Sequence, residues 1–277
     1  MFNYSALPDW YDWAYALSEA GLLLISLLAT LFIGVLASLV VALYRGRPGR
    51  AKPSSMPPGF LTGIVLPVSV VLGLLVNDVW RKYDDAHDVV LQEAAIVADL
   101  VRVIQLLPES AAEEMGALLY GYVHGDVPSD WRAFQSRTLP PVTRSALAEM
   151  TARTPALQRQ YRGDGATSHA LELLARDIAT LDKTRKARIN LSMGRMDNTR
   201  WFVLALLMFS CLVMLVEVVY GQWRNHLLVL VLFALGYGSL AYMVLTHDRP
   251  YTGATIASHA PITAAYVTEV QALKNRP

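Results

Sequence analysis

Residues 60–107, FLTGIVLPVSVVLGLLVNDVWRKYDDAHDVVLQEAAIVADLVRVIQLL, decide the fold of this chain. The part from Phe60 to Val76 carries no charge and approaches the roughly 20 helical residues that cross a bilayer. No Gly or Pro follows between Gly73 and Pro108, so nothing marks a helix end at the membrane surface. The stretch therefore predicts one continuous rod, with one half in lipid and the other half in a soluble domain.

Three further apolar runs are long enough to span a membrane, namely Gly21–Tyr44, Trp201–Tyr220 and Leu227–Thr246. They occur in a chain that is 54% hydrophobic overall. Their apolar residues do not alternate with polar ones, and only helices or closed barrels satisfy their backbone groups in lipid. The sequence predicts an all-α polytopic membrane protein with four transmembrane helices and a helical soluble domain between the second and third spans.

The segment before the first span differs from a cleavable signal peptide, because it holds acidic residues but no Lys or Arg. Its dense aromatic residues are typical of a helix at the membrane–water boundary. The predicted organisation has five parts: an interfacial segment (1–20), the first two transmembrane helices (21–79), a helical soluble domain (80–200), the last two transmembrane helices (201–246) and a C-terminal tail (247–277).

Within the soluble domain the pattern predicts helices throughout. After a helix over Glu109–Val123, the sequence HGDVPSDW indicates a turn and then a short helix capped by Ser129 or Asp130. Another helix is predicted to open at Pro140-Pro141 and run through Met150. A last long helix, capped by Thr167 or Ser168, is expected to enter the third span without interruption.

The distribution of basic residues gives two opposite predictions of orientation. The loop between the first two spans contains Arg45, Arg47, Arg50 and Lys52, which favours a cytoplasmic loop and an external soluble domain. The basic residues between Lys183 and Arg200, before the third span, favour a cytoplasmic soluble domain instead.

No motif for an enzyme is present, since the chain has no phosphate loop, H-E-x-x-H, C-x-x-C or G-x-S-x-G sequence. We therefore expect no catalytic residues, no cofactor and no metal site. The acidic group at 84–88 is near-consecutive on a helix, so its side chains should splay apart in a solvated face. A net charge of +1 gives no indication of nucleic-acid binding.

Glu217, near the end of the third span, is either an intramembrane polar site or an anchor that reaches headgroups or Arg224.

Leu66, Val70 and Leu74 repeat every four residues and form one stripe along the predicted second span. Such a stripe is ordinary packing or lipid-facing surface when one subunit is considered alone. If copies of the helix surround an axis, the same residues form three stacked apolar rings. Rings of this kind gate ion flow by dewetting.

The segment LPVSVVLGL, Leu66 to Leu74, resembles the pore neck of the bestrophin chloride channels. The whole chain is similar to the bacterial bestrophin-like domain proteins in LGLLVNDVWRKYDDAHDVVLQEA, in LLYGYV and in DRPYTG after the fourth span. The resemblance covers most of residues 60–265. It implies that Leu66, Val70 and Leu74 are neck residues, although bestrophin necks often carry Phe where this chain is aliphatic.

The resemblance implies a homo-oligomeric, pentameric anion channel, chloride being its expected ion, in the bacterial inner membrane with a cytoplasmic soluble domain. Arg81 and Lys82, near the pore exit, would attract anions. No carboxylate follows DRPYTG until Glu269, which argues against a bestrophin calcium clasp. The alternative is a non-conducting scaffold or sensor whose stripe is an oligomer interface. A transporter fits less well, because no inverted repeat is visible.

Overall fold

A computed structural model describes residues 13, 17–46, 58–136, 138, 140, 145–194, 198–251 and 257–275. Over these residues the chain is helical and contains no strand. The elements are α1 (Glu19–Arg45), α2 (Pro58–Ile104), α3 (Glu109–Gly121), the π-helix π1 (Tyr122–Asp126), α4 (Val127–Ser136), α5 (Ala146–Gln160), α6 (Gly165–Met193), α7 (Asn198–Val218), α8 (Trp223–His247) and α9 (Ala260–Lys274). The predicted all-helical class is confirmed, whereas the predicted interfacial segment, except residues 13 and 17–20, lies outside the described residues.

Helix α2 confirms that the second apolar run continues without a break. It extends over 47 residues from Pro58 to Ile104, and Pro67 lies inside it. A proline removes one backbone donor, here the one that would bond the Gly63 carbonyl, and membrane helices tolerate this loss. The Ser69 hydroxyl donates to a different carbonyl, that of Val65, at 2.8 Å.

The chain divides into two compact units, and α2 contributes residues to both. Unit 1 contains residues 1–81 and 195–248, and unit 2 contains residues 82–194 and 249–277. In unit 1, helices α1, α7 and α8 have the length and apolar composition needed to cross a membrane. That the first part of α2 is a fourth span stays a prediction.

Unit 1 is held together by close packing of α1 against α7 and α8. Its main apolar cluster joins α1, α2, α7 and α8 through Ala37, Leu72, Met208, Leu212 and Phe233. Helix α1 begins after Ser18, whose hydroxyl accepts the Gly21 N–H, and it ends at Gly46 with a φ of 80°.

The two glycines in LGYGSL of α8 are not equivalent in this packing. A Cβ added at Gly238 would lie 3.0 Å from the Cα of Leu27 in α1, whereas one at Gly236 would meet nothing within 4 Å. We expect Gly238→Ala to lower the stability of unit 1 by about 1–3 kcal/mol, because overpacking must displace a backbone. Gly236→Ala is the matched control and should be close to neutral. Thermal unfolding in detergent compares the two, and equal midpoints would show that this close approach does not matter.

Unit 2 surrounds one large apolar core. The core includes Val90, Val97 and Leu100 of α2, Met115 and Leu119 of α3, and Leu171, Leu174, Ile178 and Leu181 of α6. The residues predicted only as a C-terminal tail include α9, and Ile262 of that helix is fully buried in the same core.

Several predicted helix boundaries in unit 2 are wrong. HGDVPSDW is not a turn, because π1 leads directly into α4 and Pro128 is the second residue of that helix. Neither Ser129 nor Asp130 caps that helix, and both lie inside it. Helix α5 begins after the Ser145 cap, beyond Pro140-Pro141, and continues past Met150 to Gln160.

The long helix α6 also differs from its prediction at both ends. Its cap is Asp164, whose carboxylate accepts the Ala166 N–H and the Thr167 hydroxyl, so neither Thr167 nor Ser168 is the cap. The helix does not continue into the third span. It ends at Met193, because Gly194 adopts an extended conformation with ψ of 130°.

Candidate functional site

The stripe predicted on α2 lies on a surface that unit 1 does not cover. Leu66, Val70 and Leu74 are 62%, 55% and 66% exposed. On the opposite face of the same helix, Val68 and Leu72 are only 4% and 7% exposed. One face of α2 therefore packs inside unit 1, and the stripe is left for lipid or for another chain.

The basic residues that follow the stripe are accessible to different extents. Arg81 is exposed and Lys82 is half-buried. The neighbouring Asp78 forms an exposed ion pair with Arg200 at 2.6 Å. The acidic group at 84–88 is exposed, as expected for a solvated face. In the part of the chain that is described, no three His, Cys, Asp or Glu side chains are grouped so that they could hold a metal ion.

Glu217 is buried and pairs with Arg45 at the end of α1 instead of with Arg224. The Arg45 Nε lies 2.7 Å from Glu217 Oε1, and the Nη2 group also contacts this oxygen. Close by in sequence, the Tyr220 hydroxyl donates to the carbonyl of Gly46. These contacts fasten the end of α1 to the end of α7, which is an anchoring arrangement within unit 1.

Unit 2 contains a buried group of charged residues that we call the ionic cluster: Glu93 of α2, Tyr122 and Asp126 of π1, Asp130 of α4, and Arg185 and Arg188 of α6. Glu93, Asp130 and Arg188 are fully enclosed. Two guanidinium groups thus lie among three carboxyl groups, in a part of the core where isolated charges would be costly.

Arg188 is the centre of the ionic cluster because it contacts both enclosed carboxylates. Its Nε lies 2.8 Å from Glu93 Oε2, and its Nη2 donates to Asp130 Oδ2 at 2.9 Å. The guanidinium also stacks 4.4 Å from the ring centroid of Trp131. The planar Arg fork suits this double contact and the aromatic face together.

The remaining contacts complete the cluster on either side of Arg188. Arg185 donates to both oxygens of Asp130, at 2.9 and 2.8 Å. The Tyr122 hydroxyl donates to Glu93 Oε1 at 2.5 Å. Tyr122 is the first residue of π1. Single π-helical turns are frequently found at functional sites.

Burial governs the electrostatics of the ionic cluster. It raises the pKa of Glu93, and the opposing charge of Arg188 and the Tyr122 hydroxyl bond only partly offset this effect. Burial and the neighbouring Glu93 carboxylate raise the pKa of Tyr122 well above its ordinary value. Tyr122 is therefore a neutral donor at physiological pH.

The sequence contained a signal for this cluster that composition alone obscures. On α6 the buried positions Leu174, Ile178 and Leu181 recur at intervals of three and four residues, and the same register continues onto Arg185 and Arg188. The stretch KTRKARINL looks uniformly basic, yet only these two of its cations are on the core face. A charged residue in an apolar register predicts a buried partner.

Comparison with known proteins identifies the family of this chain. The family model for the Bestrophin-like domain matches residues 29–262. A crystal structure of a bacterial bestrophin homologue from Klebsiella pneumoniae, carrying a tyrosine-to-alanine mutation, has a similar fold with a TM-score of 0.64. The alignment covers 90% of this chain and 98% of that chain at 12% sequence identity. No curated protein matches the chain.

The family match spans both units, from within α1 to the start of α9, and the resemblance expected from the sequence is confirmed. The chain belongs to the Bestrophin-like family and has a bestrophin-like, all-helical fold.

Proposed function

We propose that this protein is a homo-oligomeric, pentameric channel that conducts small anions such as chloride through an axial pore lined by the first part of α2. Family and fold indicate an ion-channel kind of function. The observation that carries the proposal is the exposure of Leu66, Val70 and Leu74 on a helix whose opposite face is buried. One chain has no room to enclose a pore, so copies must supply its wall.

Around a common axis, each stripe residue would contribute to one ring. Residues four apart on a helix are separated by about 6 Å along its axis, so the three rings would form a neck about 12 Å long. An aliphatic neck excludes water when it is narrow, and wetting it permits ion passage. All three side chains are aliphatic, so no polar group would hold water in the neck.

Arg81 and Lys82 supply the preference for anions in this proposal. Arg81 lies seven residues beyond Leu74, about 10 Å further along the helix. A ring of exposed cations at one mouth of a pore raises the local concentration of anions. The proposed protein crosses the bacterial inner membrane four times, with the first part of α2 as its second span and unit 2 in the cytoplasm.

Flux through reconstituted protein tests the proposal. We expect liposomes that contain the purified chain to release chloride faster than they release potassium, and the subunit count to be five by mass photometry. Val70→Ala or Leu74→Ala should increase chloride release, because a smaller side chain widens a ring. Leu28→Ala, at an exposed apolar position of α1, is the control and should leave release unchanged. If the wild type and both neck variants are silent, the scaffold alternative replaces the channel.

A further inference from the structure

The ionic cluster holds an unequal number of acidic and basic groups. Its three carboxyl groups belong to Glu93, Asp126 and Asp130, and only two guanidinium groups face them. With every group ionised, the cluster has one excess negative charge. A single proton would make it neutral, and in a buried site a neutral cluster is much less costly than a charged one.

The contacts indicate which carboxyl group takes this proton. Both oxygens of Asp130 accept from Arg185, whereas Glu93 Oε1 accepts from the Tyr122 hydroxyl and from Arg188 Nη2 and Glu93 Oε2 makes no hydrogen bond, although it lies 2.8 Å from Arg188 Nε. A proton on Asp130 would disrupt its bonds to Arg185, and a proton on Glu93 would remove the enclosed charge that pairs with Arg188. Asp126 has weaker partners, because its Oδ2 lies 4.0 Å from Arg185 Nη1 and 3.4 Å from the Leu147 N–H.

Asp126 is also the carboxyl group that water can reach. Its side chain is 16% exposed, whereas those of Glu93 and Asp130 are fully enclosed. We propose that Asp126 is a one-proton switch, which binds a proton as the pH falls and thereby makes the ionic cluster neutral and unit 2 more stable. The proposal concerns unit 2 itself and stands whether or not the protein conducts ions.

The charged and titratable groups around Asp126 come from every element that packs against π1. Arg185 of α6 attracts the carboxylate, and Asp130 of α4 repels it. The N–H groups of Ala146 and Leu147 face it from the first turn of α5, which also carries the exposed Glu149. On α3 and α9, the ionisable rings of Tyr120 and Tyr266 contact His124 of π1.

Burial raises the pKa of Asp126 above its ordinary value of 3.8, and this effect is larger than the opposing effect of Arg185. The folded protein therefore binds this proton at a higher pH than the unfolded chain does. The stability that this proton supplies is fully present below the unfolded value and is lost as the pH rises through the folded value. Acidification between these two values should stabilise unit 2.

Asp164 provides a matched control, because its pKa is shifted in the opposite direction from that of Asp126. It also accepts N–H groups at the start of a helix in unit 2, but the Thr167 hydroxyl and N–H lower its pKa. Its carboxylate stabilises the fold above the unfolded value, and that contribution is lost only as the pH falls through the lowered folded value. Amide substitution at the two positions should therefore have opposite effects.

Thermal unfolding of the full chain in detergent tests the switch. At about pH 7.5 we expect Asp126→Asn to unfold about 2–4 °C above wild type, since the amide imitates the protonated acid. As the pH is lowered towards 3.8, the ordinary value for an aspartate, the two midpoints should converge. Asp164→Asn should unfold below wild type at the higher pH. An Asp126→Asn midpoint below wild type at about pH 7.5, or an unchanged difference at both pH values, would overturn the proposal.

Infrared difference spectra detect the proton directly. As the pH falls from about 7.5 towards 3.8, wild type and Asp164→Asn should gain the C=O band of a protonated carboxyl group at a higher pH than Asp126→Asn does. If Asp126→Asn does not fold, Asp126→Glu should shift this band. A band that neither substitution changes belongs to another group and contradicts the assignment.

Discussion

Arg188→Met is expected to destabilise unit 2 by about 3–5 kcal/mol, which is a large part of the stability of a typical domain. The substitution preserves much of the side-chain volume, but it leaves the enclosed Glu93 without its charged partner and removes one donor from Asp130. The cost arises mainly from burying a carboxylate without compensation. Thermal or chemical unfolding monitored by tryptophan fluorescence measures it, and Trp131 lies directly against the substituted group.

Two controls separate this effect from the loss of any arginine. Arg102→Met removes an exposed guanidinium that pairs with Asp99 and Glu269 on the surface of the same unit, and it should have little effect. Arg188→Lys retains the charge but cannot reproduce the fork that contacts both carboxylates, so an intermediate loss is expected. If Arg188→Met unfolds at the same point as Arg102→Met, the cluster does not hold unit 2 together.

The predictability of the fold differed between helix interiors and helix ends. The continuous α2 was predictable, because the absence of Gly and Pro over the 34 positions from 74 to 107 is a local property of the sequence. The cap of α6 was not, since Asp164, Thr167 and Ser168 are all acceptable caps and only the course of the preceding chain selects one. The turn predicted at HGDVPSDW was wrong because a π-helical turn accommodated Gly125 within a helical path.

The ionic cluster shows a second limit of sequence analysis. Glu93, Asp130 and Arg188 are separated by tens of residues, and pairing across that separation depends on how three helices pack. From the sequence, Asp130 was predicted only as a possible helix cap, and neither Glu93 nor Arg188 was predicted to be buried, because charged side chains usually lie at the surface. For the proposed neck, by contrast, the stripe follows from helical spacing alone, and the structure leaves that stripe exposed on unit 1.

A hydroxyl group placed in the proposed neck should increase chloride flux by about tenfold or more, which corresponds to lowering the barrier by about 1.4 kcal/mol. Val70→Thr replaces one methyl group with a hydroxyl of similar size, so the ring changes in polarity more than in width. In the proposed pentamer five such groups would face the same narrow segment. Each removed methyl lowers the apolar transfer free energy by about 0.8 kcal/mol, so five of them would change it by about 4 kcal/mol. The expected lowering of the barrier is smaller than this total.

Val71→Thr is the matched control, because it makes the same chemical change at the adjacent position. Val71 is 38% exposed but lies about 100° around the helix from the stripe, outside the proposed rings. Its substitution should leave chloride release at the wild-type rate in the same liposome assay. Equal flux through both variants would show that the stripe does not face the conduction path, whereas a selective increase in Val70→Thr would place position 70 on the pore axis.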